Sequence, residues 1–483
     1  MGTTADKLNY LLETKEQIKL AISAKGVDVS ASTFREYAQK ISEIPQDVTI
    51  LNPDRVTMTA DVRFFDYDGS LLYSFTKEEF LSLAEFPASP TQKGLVFQSW
   101  NWSLTDAQEF VNKYGKIDIG ATYITDDGKT RLYVTLIDKN SCYIAVWFTQ
   151  MNIGGVTIDW GDGTEPEKGA SNVSTSSFFH AYEDVGDYVI TIDVAEGSTM
   201  YLGDGTSYNV MSKTDLMGRI GGSDSNKLKK VELGLRTKIN RHSFRNCRAL
   251  KYIVLPNGTE YPDFTNCNNL KAVVVPKGAT ALYCDTCHSL SVVSLPKECT
   301  NPLIAEETAL SSLVIPNGGG STFGTNYALS SITFGDGVYY PPDFKNWKSL
   351  LSVTVPPYPS TGSPYIRESM FSGCEALTSV ILPQNIATIY ASAFKNCYCL
   401  SKLVFPSACN NIRSYTFENC GSLEYIDFRN CTSVVSLEHT NAFSGVNTAC
   451  KFIVPDELYD TWIAAINWTT YADYIVKASE YQE

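Results

Sequence analysis

From residue 250 onward, apolar positions return on a twenty-residue beat. Leu250, Leu270, Leu290 and Leu310 are each followed six residues later by Pro256, Pro276, Pro296 and Pro316. The spacing then loosens through Leu329, where Gly335 replaces the proline, Leu350 with Pro356, Leu377 with Pro383 and Leu400 with Pro406, and Leu423 closes the series. Each interval holds one strand, as in KYIVLP (251–256) or TSVILP (378–383). Alternation puts Leu250, Ile253 and Leu255 on one face and Tyr252 and Val254 on the other. The proline stops the ladder because it has no N–H to donate. The better-kept units carry a second phrase, HSFRNCRAL (242–250), SAFKNCYCL (392–400) and YTFENCGSL (415–423), in which Phe, Asn and Cys keep step with Leu. Such fixed-period repetition predicts a solenoid with a parallel sheet. Roughly nine or ten coils at about 4.8 Å each give a sheet on the order of 45 Å long. From about 451, FIVP repeats the strand and proline, and a helical pattern with Trp462, Ile466 and Trp468 then predicts a cap over the last coil.

The outward strand positions are small and mostly uncharged, apart from an apolar line of Val254, Val274, Val314, Ile381 and Val404. Left in water this line is a liability, so another copy or a receptor is expected to cover it. The coil edges between 301 and 365 lose their Cys and gain Gly318-Gly319-Gly320, Tyr339, Tyr340, Trp347, Tyr358 and Tyr365. Tyr339, Tyr340, Tyr358 and Tyr365 are candidate receptor contacts, since aromatics on loops recognise partners at low entropic cost. Drift of degenerate repeats accounts for them equally well. Trp347 sits in the Cys slot and is read as core.

The patterns change towards the N-terminus. Residues 1–46 predict an α-helical hairpin: Leu8, Leu11, Leu12, Ile18 and Ile22 form one stripe, and Phe34, Tyr37 and Ile41 another behind the Thr33–Glu36 capping box. Two such helices bury too little to stand alone, so their apolar faces form a candidate attachment or oligomerisation face. Residues 47–126 read as a small α+β domain, with strands VRFFDYDG and SLLYSFT, a helix KEEFLSLAEF, and a second helix carrying Phe110, Val111 and Tyr114 behind Ser103 or Thr105. Trp100-Asn101-Trp102 offers stacking faces for a sugar, but paired Trp beside a helix start is read as core. Asp66-Tyr67-Asp68-Gly69 lacks the later ligands of a calcium loop and is read as a turn. Residues 127–215 alternate as a β-sandwich, with Tyr143, Ala145 and Trp147, then Val156 and Ile158, then Tyr188, Ile190 and Ile192.

Composition narrows the function. A net charge of −14 disfavours nucleic acid, which needs cations to neutralise phosphates. No run of eighteen apolar residues is present, and no cationic and apolar leader opens the chain, so neither membrane insertion nor export by a cleaved signal is expected. Of thirteen cysteines, Cys247, Cys267, Cys287, Cys374, Cys397 and Cys420 all lie three residues before a repeat Leu. They are read as core filler, consistent with assembly in a reducing cytoplasm. Cys284 and Cys287 lack the partners a zinc site needs. The four histidines share no metal spacing, and no hydrolase elbow, Walker loop or dinucleotide fingerprint occurs, so no catalytic residue, metal or cofactor is assigned and no enzyme is expected.

Three resemblances follow from these motifs. The repeat phrase x-x-L-x-x-h-x-h-P with a-F-x-N/G-C-x-x-L, over about 228–458, resembles the BspA-like leucine-rich repeats and implies a right-handed coil within residues 216–483. Asp159-Trp160-Gly161-Asp162-Gly163-Thr164, followed by His180-Ala181-Tyr182 and Gly186-Asp187-Tyr188, resembles PKD domains and implies an immunoglobulin-like spacer in which Tyr188 fills the core. The stretch KLNYLLETKEQIKLAISAKGVDVSASTFREYAQKISEI looks like the N-terminal module of many tail and fibre proteins from bacteriophages of gut bacteria. It implies a virion protein assembled in the host cytoplasm, held by other virion proteins through its N-terminus, homo-oligomeric, and displaying the repeats to a host-surface glycan or protein. A purely structural virion component and a bacterial cell-surface adhesin are the alternatives.

Overall fold

A computed structural model of the chain describes residues 60–482, apart from 152–154, 170–175, 204–209, 211–225, 240, 305–307, 319–327, 339–341 and 357–363. The helical hairpin expected at 1–46, with its stripe from Leu8 to Ile41, lies outside the described residues. Every element below belongs to the second of two compact units, Met1–Ala60 and Asp61–Glu483.

Residues 61–126 form a four-stranded sheet ordered Leu71–Phe75, Val62–Phe65, Ile117–Thr125, Leu95–Trp100. The turn at 66–70 works because Gly69 takes φ +87° and the Asp68 carboxylate accepts the Ser70 amide at 2.9 Å. Helix α1 (Lys77–Leu81) begins with a reciprocal cap between Thr76 and Glu79. It stops short of the KEEFLSLAEF pattern, because the Ser82 hydroxyl turns back to the Glu79 carbonyl at 2.7 Å. Helix α2 (Leu104–Tyr114) is capped by Ser103, which accepts the Asp106 amide at 3.1 Å, and ends at Gly115. Phe64, Phe80, Trp100 and Tyr123 are buried together beneath these helices.

The next region packs two antiparallel arrays face to face. One holds Thr130–Leu136, Gly186–Val194, Val156–Asp159 and Glu167–Lys168; the other holds Tyr143–Met151, Ser176–Ala181 and Thr199–Leu202. The structure corrects the alternation read for 143–148. Ile144, Val146 and Phe148 are the residues that fill the inter-sheet core, and Tyr143 and Trp147 are only half-buried. A two-residue period does not say which parity faces inward, and the outer position suits Tyr143, whose ring takes the Lys227 ammonium at 4.9 Å. At the Asp159–Thr164 turn, Asp159 accepts the Gly161 amide at 2.9 Å, and Trp160 stacks on His180 at 4.9 Å. Tyr182 is the buried tyrosine, donating to the Trp160 carbonyl at 3.1 Å; Tyr188 is half-buried beside it, with ring centroids 4.2 Å apart.

Both arrays run on into the solenoid. Leu228–Glu232 pairs antiparallel with Thr130–Leu136 and parallel with Tyr252–Val254, while Thr237–Ile239 pairs parallel with Thr199–Leu202. Sandwich and coils therefore share one continuous apolar core. Successive coils then add a strand to a front parallel sheet, ending at Lys451–Val454 and Ile475–Lys477. A back sheet includes Tyr365–Ile366, Thr388–Ile389, Asn411–Ile412 and Ser436–Leu437.

The repeat phrase has a physical reason at each position. Asn246, Asn266, Asn346, Asn396 and Asn419 turn the chain at φ +61° to +64°, a conformation Asn tolerates, and they bond coil to coil, as in Asn419 to Asn396 at 2.9 Å. Phe344, Phe371, Phe394, Phe417 and Phe443 stack with centroids 5.0–5.3 Å apart. The slot cysteines are donors as well as filler. Cys267, Cys374, Cys397 and Cys420 each give Sγ–H to the carbonyl of a Phe in the preceding coil, at 3.0–3.2 Å. Trp347 is fully buried in the same slot.

The C-terminal cap buries Trp462 and Trp468, the latter donating to the Val435 carbonyl at 2.7 Å. Ile466, read as part of the same stripe, is instead 84% exposed, because the helix Tyr459–Ile463 ends before it, and Asn467 at φ +67° then turns the chain into the segment that begins at Trp468.

Candidate functional site

On the front sheet, the outward apolar line divides into a covered and an open part. Val254, Val274 and Val314 are buried, and what lies over them is the chain's own 61–126 domain, in place of the second copy or receptor expected from the sequence. The fit is close. A Cβ on Gly120 would stand 2.3 Å from Val274 Cγ1, and one on Gly69 2.9 Å from Ala272 Cβ.

Polar bonds fix the register of this lid. Asn101 donates to the Val275 carbonyl at 2.9 Å and to Ser294 Oγ at 3.0 Å, while its own carbonyl takes the Gly120 amide at 2.8 Å. Trp102 Nε1–H donates to the Leu295 carbonyl at 2.8 Å, and Ser294 Oγ donates to the Asp118 carbonyl at 2.8 Å. Arg63 grips Asp118 through two bonds of 2.7 Å and reaches Ser312 Oγ at 2.6 Å. The Trp-Asn-Trp motif is thus divided in role: Trp100 fills the lid's core, and Asn101 and Trp102 clamp the lid to the coils.

The covered column reopens further along. Ile381 is 63% and Val404 45% exposed. Past them it closes again at Asp427, held by bidentate bonds from Arg429, and at Ile453, which is fully buried. The Tyr481 ring, near the C-terminus, rests 5.6 Å from Tyr425.

Of the four candidate contact tyrosines, Tyr339, Tyr340 and Tyr358 lie outside the described residues. Tyr365 is 42% exposed on the back sheet. It is the first of a series the sequence reading missed. Tyr365 pairs in register with Thr388 and that with Asn411, so the coil period here is 23 residues. Tyr365, Tyr390 and Tyr415 recur every 25, stepping two residues further along the coil each time. The result is a diagonal of exposed aromatics across three coils, at 42%, 38% and 44% exposure. Tyr365 and Tyr390 meet edge to face at 5.0 Å. Arg413 lies 5.7 Å over Tyr390 and is paired to Glu438 at 2.6 Å. Lys395 lies 5.6 Å over Tyr415 and is paired to Glu418 at 2.6 Å. The cations thus hold the rings by charge–π attraction while their own charges are balanced. The mismatch of 25 against 23 was the readable signal.

Cysteine chemistry is muted. Twelve of the thirteen thiols are buried and Cys399 is exposed; all are free. Burial pushes the Cys374 and Cys420 thiols up to about 12, which leaves them protonated and unreactive at neutral pH. Among the described residues, no group of three His, Cys, Asp or Glu side chains is placed to hold a metal ion.

Comparison with known proteins bears on the coils. Residues 223–326 and 342–461 match the BspA type leucine rich repeat region, in 6 copies. No curated protein matches the chain. Among solved structures, a leucine-rich repeat protein from Bacteroides ovatus is similar at 23% identity and a TM-score of 0.37, over 52% of this chain and 66% of that one, just under two thirds of its length. A leucine rich cell surface protein from Faecalibacterium prausnitzii is similar at 23% identity and a TM-score of 0.22, covering 45% and 68%. The pneumococcal vaccine antigen PcpA is similar at 14% identity and a TM-score of 0.25, covering 59% and 94%. The C-terminal half of this chain is a solenoid of BspA-type leucine-rich repeats.

Proposed function

We propose that this chain is a surface adhesin, carried on a bacteriophage tail fibre or related appendage, which presents its solenoid to a host-cell glycan or protein. The observation that carries the reading is the diagonal of Tyr365, Tyr390 and Tyr415. Three exposed rings on stacked coils, each neighbouring pair joined through a rigid backbone, form a recognition surface that loses little entropy on binding. Copies held together by their N-termini would add weak contacts into useful avidity.

Virion attachment is supported by the N-terminal stretch that looks like a phage fibre module, with Leu8, Leu11, Leu12, Ile18, Ile22, Phe34, Tyr37 and Ile41 as its apolar face. The W-G-D-G-T and H-x-Y phrases support a PKD-like reading of the sandwich. Here its work would be to seal the first coil, to which its strands are hydrogen-bonded, more than to act as a free spacer. The BspA-type repeats favour a second carrier, a bacterial cell surface, on which the same tyrosines would serve.

Two measurements test this. Immunogold labelling of phage particles and of bacterial surfaces distinguishes the carriers, and label on neither overturns both. Flow cytometry of the labelled full chain, multimerised on streptavidin, against a panel of gut bacteria tests adhesion. Saturable binding to at least one strain is the expected result; no binding to any strain leaves a purely structural particle component.

A further inference from the structure

The three regions of the 61–483 unit meet at a cleft of about 340 Å³. None of the three diagonal tyrosines lines it, and its walls come from separate parts of the chain. Gln98 comes from the lid, Tyr201 from the last sandwich strand, Lys238 and Arg241 from the first coil, and Glu260 and Tyr261 from the turn after Pro256. Tyr201 and Lys238 are register partners on adjacent parallel strands, so ring and ammonium share one face. Tyr261 is 48% exposed. Arg241 is held with its guanidinium 4.7 Å over the Tyr283 ring, which orients it without neutralising it.

The chemistry of the walls is selective. The backbone amide of the 257 turn is already taken by Gln98 Oε1 at 2.8 Å, and the Thr259 hydroxyl bonds its own turn at 2.9 Å. The side chains that line the cleft include two phenol rings, two cations and one carboxylate. Among the described residues, Lys238, Arg241 and Glu260 form no ion pair with protein. In a chain of net charge −14, this concave site carries an excess of positive charge. Clefts of about 300–1,000 Å³ between domains are the usual sites of small ligands, and this one is at the small end of that range.

We propose that the junction cleft binds an anionic saccharide unit. Its carboxylate or phosphate would meet Arg241 and Lys238, its ring would stack on Tyr261, and Glu260 would accept its hydroxyls. The lid clamp keeps the walls in place before binding, so little ordering is required of the protein. This site is independent of the tyrosine diagonal and stands or falls separately.

Saturation-transfer NMR and calorimetry on the full chain test it, with glucuronic acid, N-acetylneuraminic acid and glucose 6-phosphate as probes and glucose as the neutral control. At least one acidic probe is expected to bind, more weakly as NaCl rises, and glucose not detectably. Arg241→Gln with Lys238→Gln should weaken that probe at least tenfold, Tyr261→Ala should weaken it by a similar factor with the charge unchanged, and Tyr390→Ala should leave it as in the wild type. Unchanged melting temperatures show that the exposed substitutions leave the fold intact. The proposal is overturned if no acidic probe binds at millimolar concentration, if glucose binds equally well, or if the Arg241/Lys238 double variant binds as tightly as the wild type.

Discussion

Gly120→Ala isolates the contact between lid and solenoid in one methyl group. The new Cβ would lie 2.3 Å and 2.7 Å from the two methyls of Val274 and 3.0 Å from its Cβ, where ordinary contact begins at about 3.5 Å. Neither side yields readily. Val274 is β-branched, 5% exposed and anchored in a parallel sheet, and Gly120 lies within the central strand Ile117–Thr125. Moving the lid outward by about 1 Å would stretch the Asn101–Val275 and Ser294–Asp118 bonds alongside. Overpacking of this kind costs about 1–3 kcal/mol, and one stretched buried hydrogen bond about another 1–3 kcal/mol, so Gly120→Ala should destabilise by roughly 2–6 kcal/mol. Val274→Ala alone removes two methyls, at about 0.8 kcal/mol each plus a small cavity, or roughly 2 kcal/mol. In the double variant only the 3.0 Å contact remains, which a shift of a few tenths of an ångström relieves. It should therefore be more stable than the sum of the singles by about 1–3 kcal/mol. Urea unfolding of the four proteins, with hydrogen exchange read on peptides from 95–126 and 270–296, measures this. Strict additivity, or a Gly120→Ala protein within about 0.5 kcal/mol of wild type, would refute the packing described.

Further outcomes follow from the same geometry. Trp102→Phe keeps an aromatic ring but orphans the buried Leu295 carbonyl, and should cost about 1–3 kcal/mol with faster exchange confined to the lid and its sheet; unchanged exchange would remove Trp102 from the clamp. Ellman's reagent should titrate one thiol in the native chain, lost in Cys399→Ser, and thirteen in denaturant; rapid reaction of a second native thiol would contradict the buried slots. Burial raises the Asp162 carboxyl, but bonds from Thr164 and His180 outweigh this and bring it down to about 2. A carboxyl depressed on folding contributes stability above its unfolded value near pH 4 and loses it as pH falls through 2, so Asp162→Asn should differ from wild type by at most about 2 kcal/mol at pH 6 and by nothing below pH 2. A gap that persists below pH 2 would show that the bonds to the ionised carboxylate are not its source.

Much of the solenoid was legible because its physics is local and repeated. Leu, Pro, Phe, Asn and Cys each answer to the same position in the next coil, so many units agree on one reading. The lid was not legible, since the contacts of Asn101 and Trp102 with Val275 and Leu295 join positions more than 170 residues apart and leave no mark in either segment alone. For the same reason the sequence shows that the apolar line needs a cover but not that the chain itself supplies it. The parity of 143–148 was lost because Ile144, Ala145 and Val146 are all small enough to bury, so alternation alone does not choose between faces. The tyrosine diagonal emerges only once the 23-residue register is fixed, because its 25-residue spacing has no meaning without the coil to measure against.

The central claim is that the diagonal of exposed tyrosines across three coils carries recognition. Its most direct test is the cell-binding curve of the multimerised full chain on a strain that binds wild type, compared with Tyr365→Ala/Tyr390→Ala. Truncating two of the three aromatic anchors should weaken each contact by at least about tenfold, or 1.4 kcal/mol, with the melting temperature unchanged. Binding as tight as wild type, by a variant that is fully folded, would contradict the account.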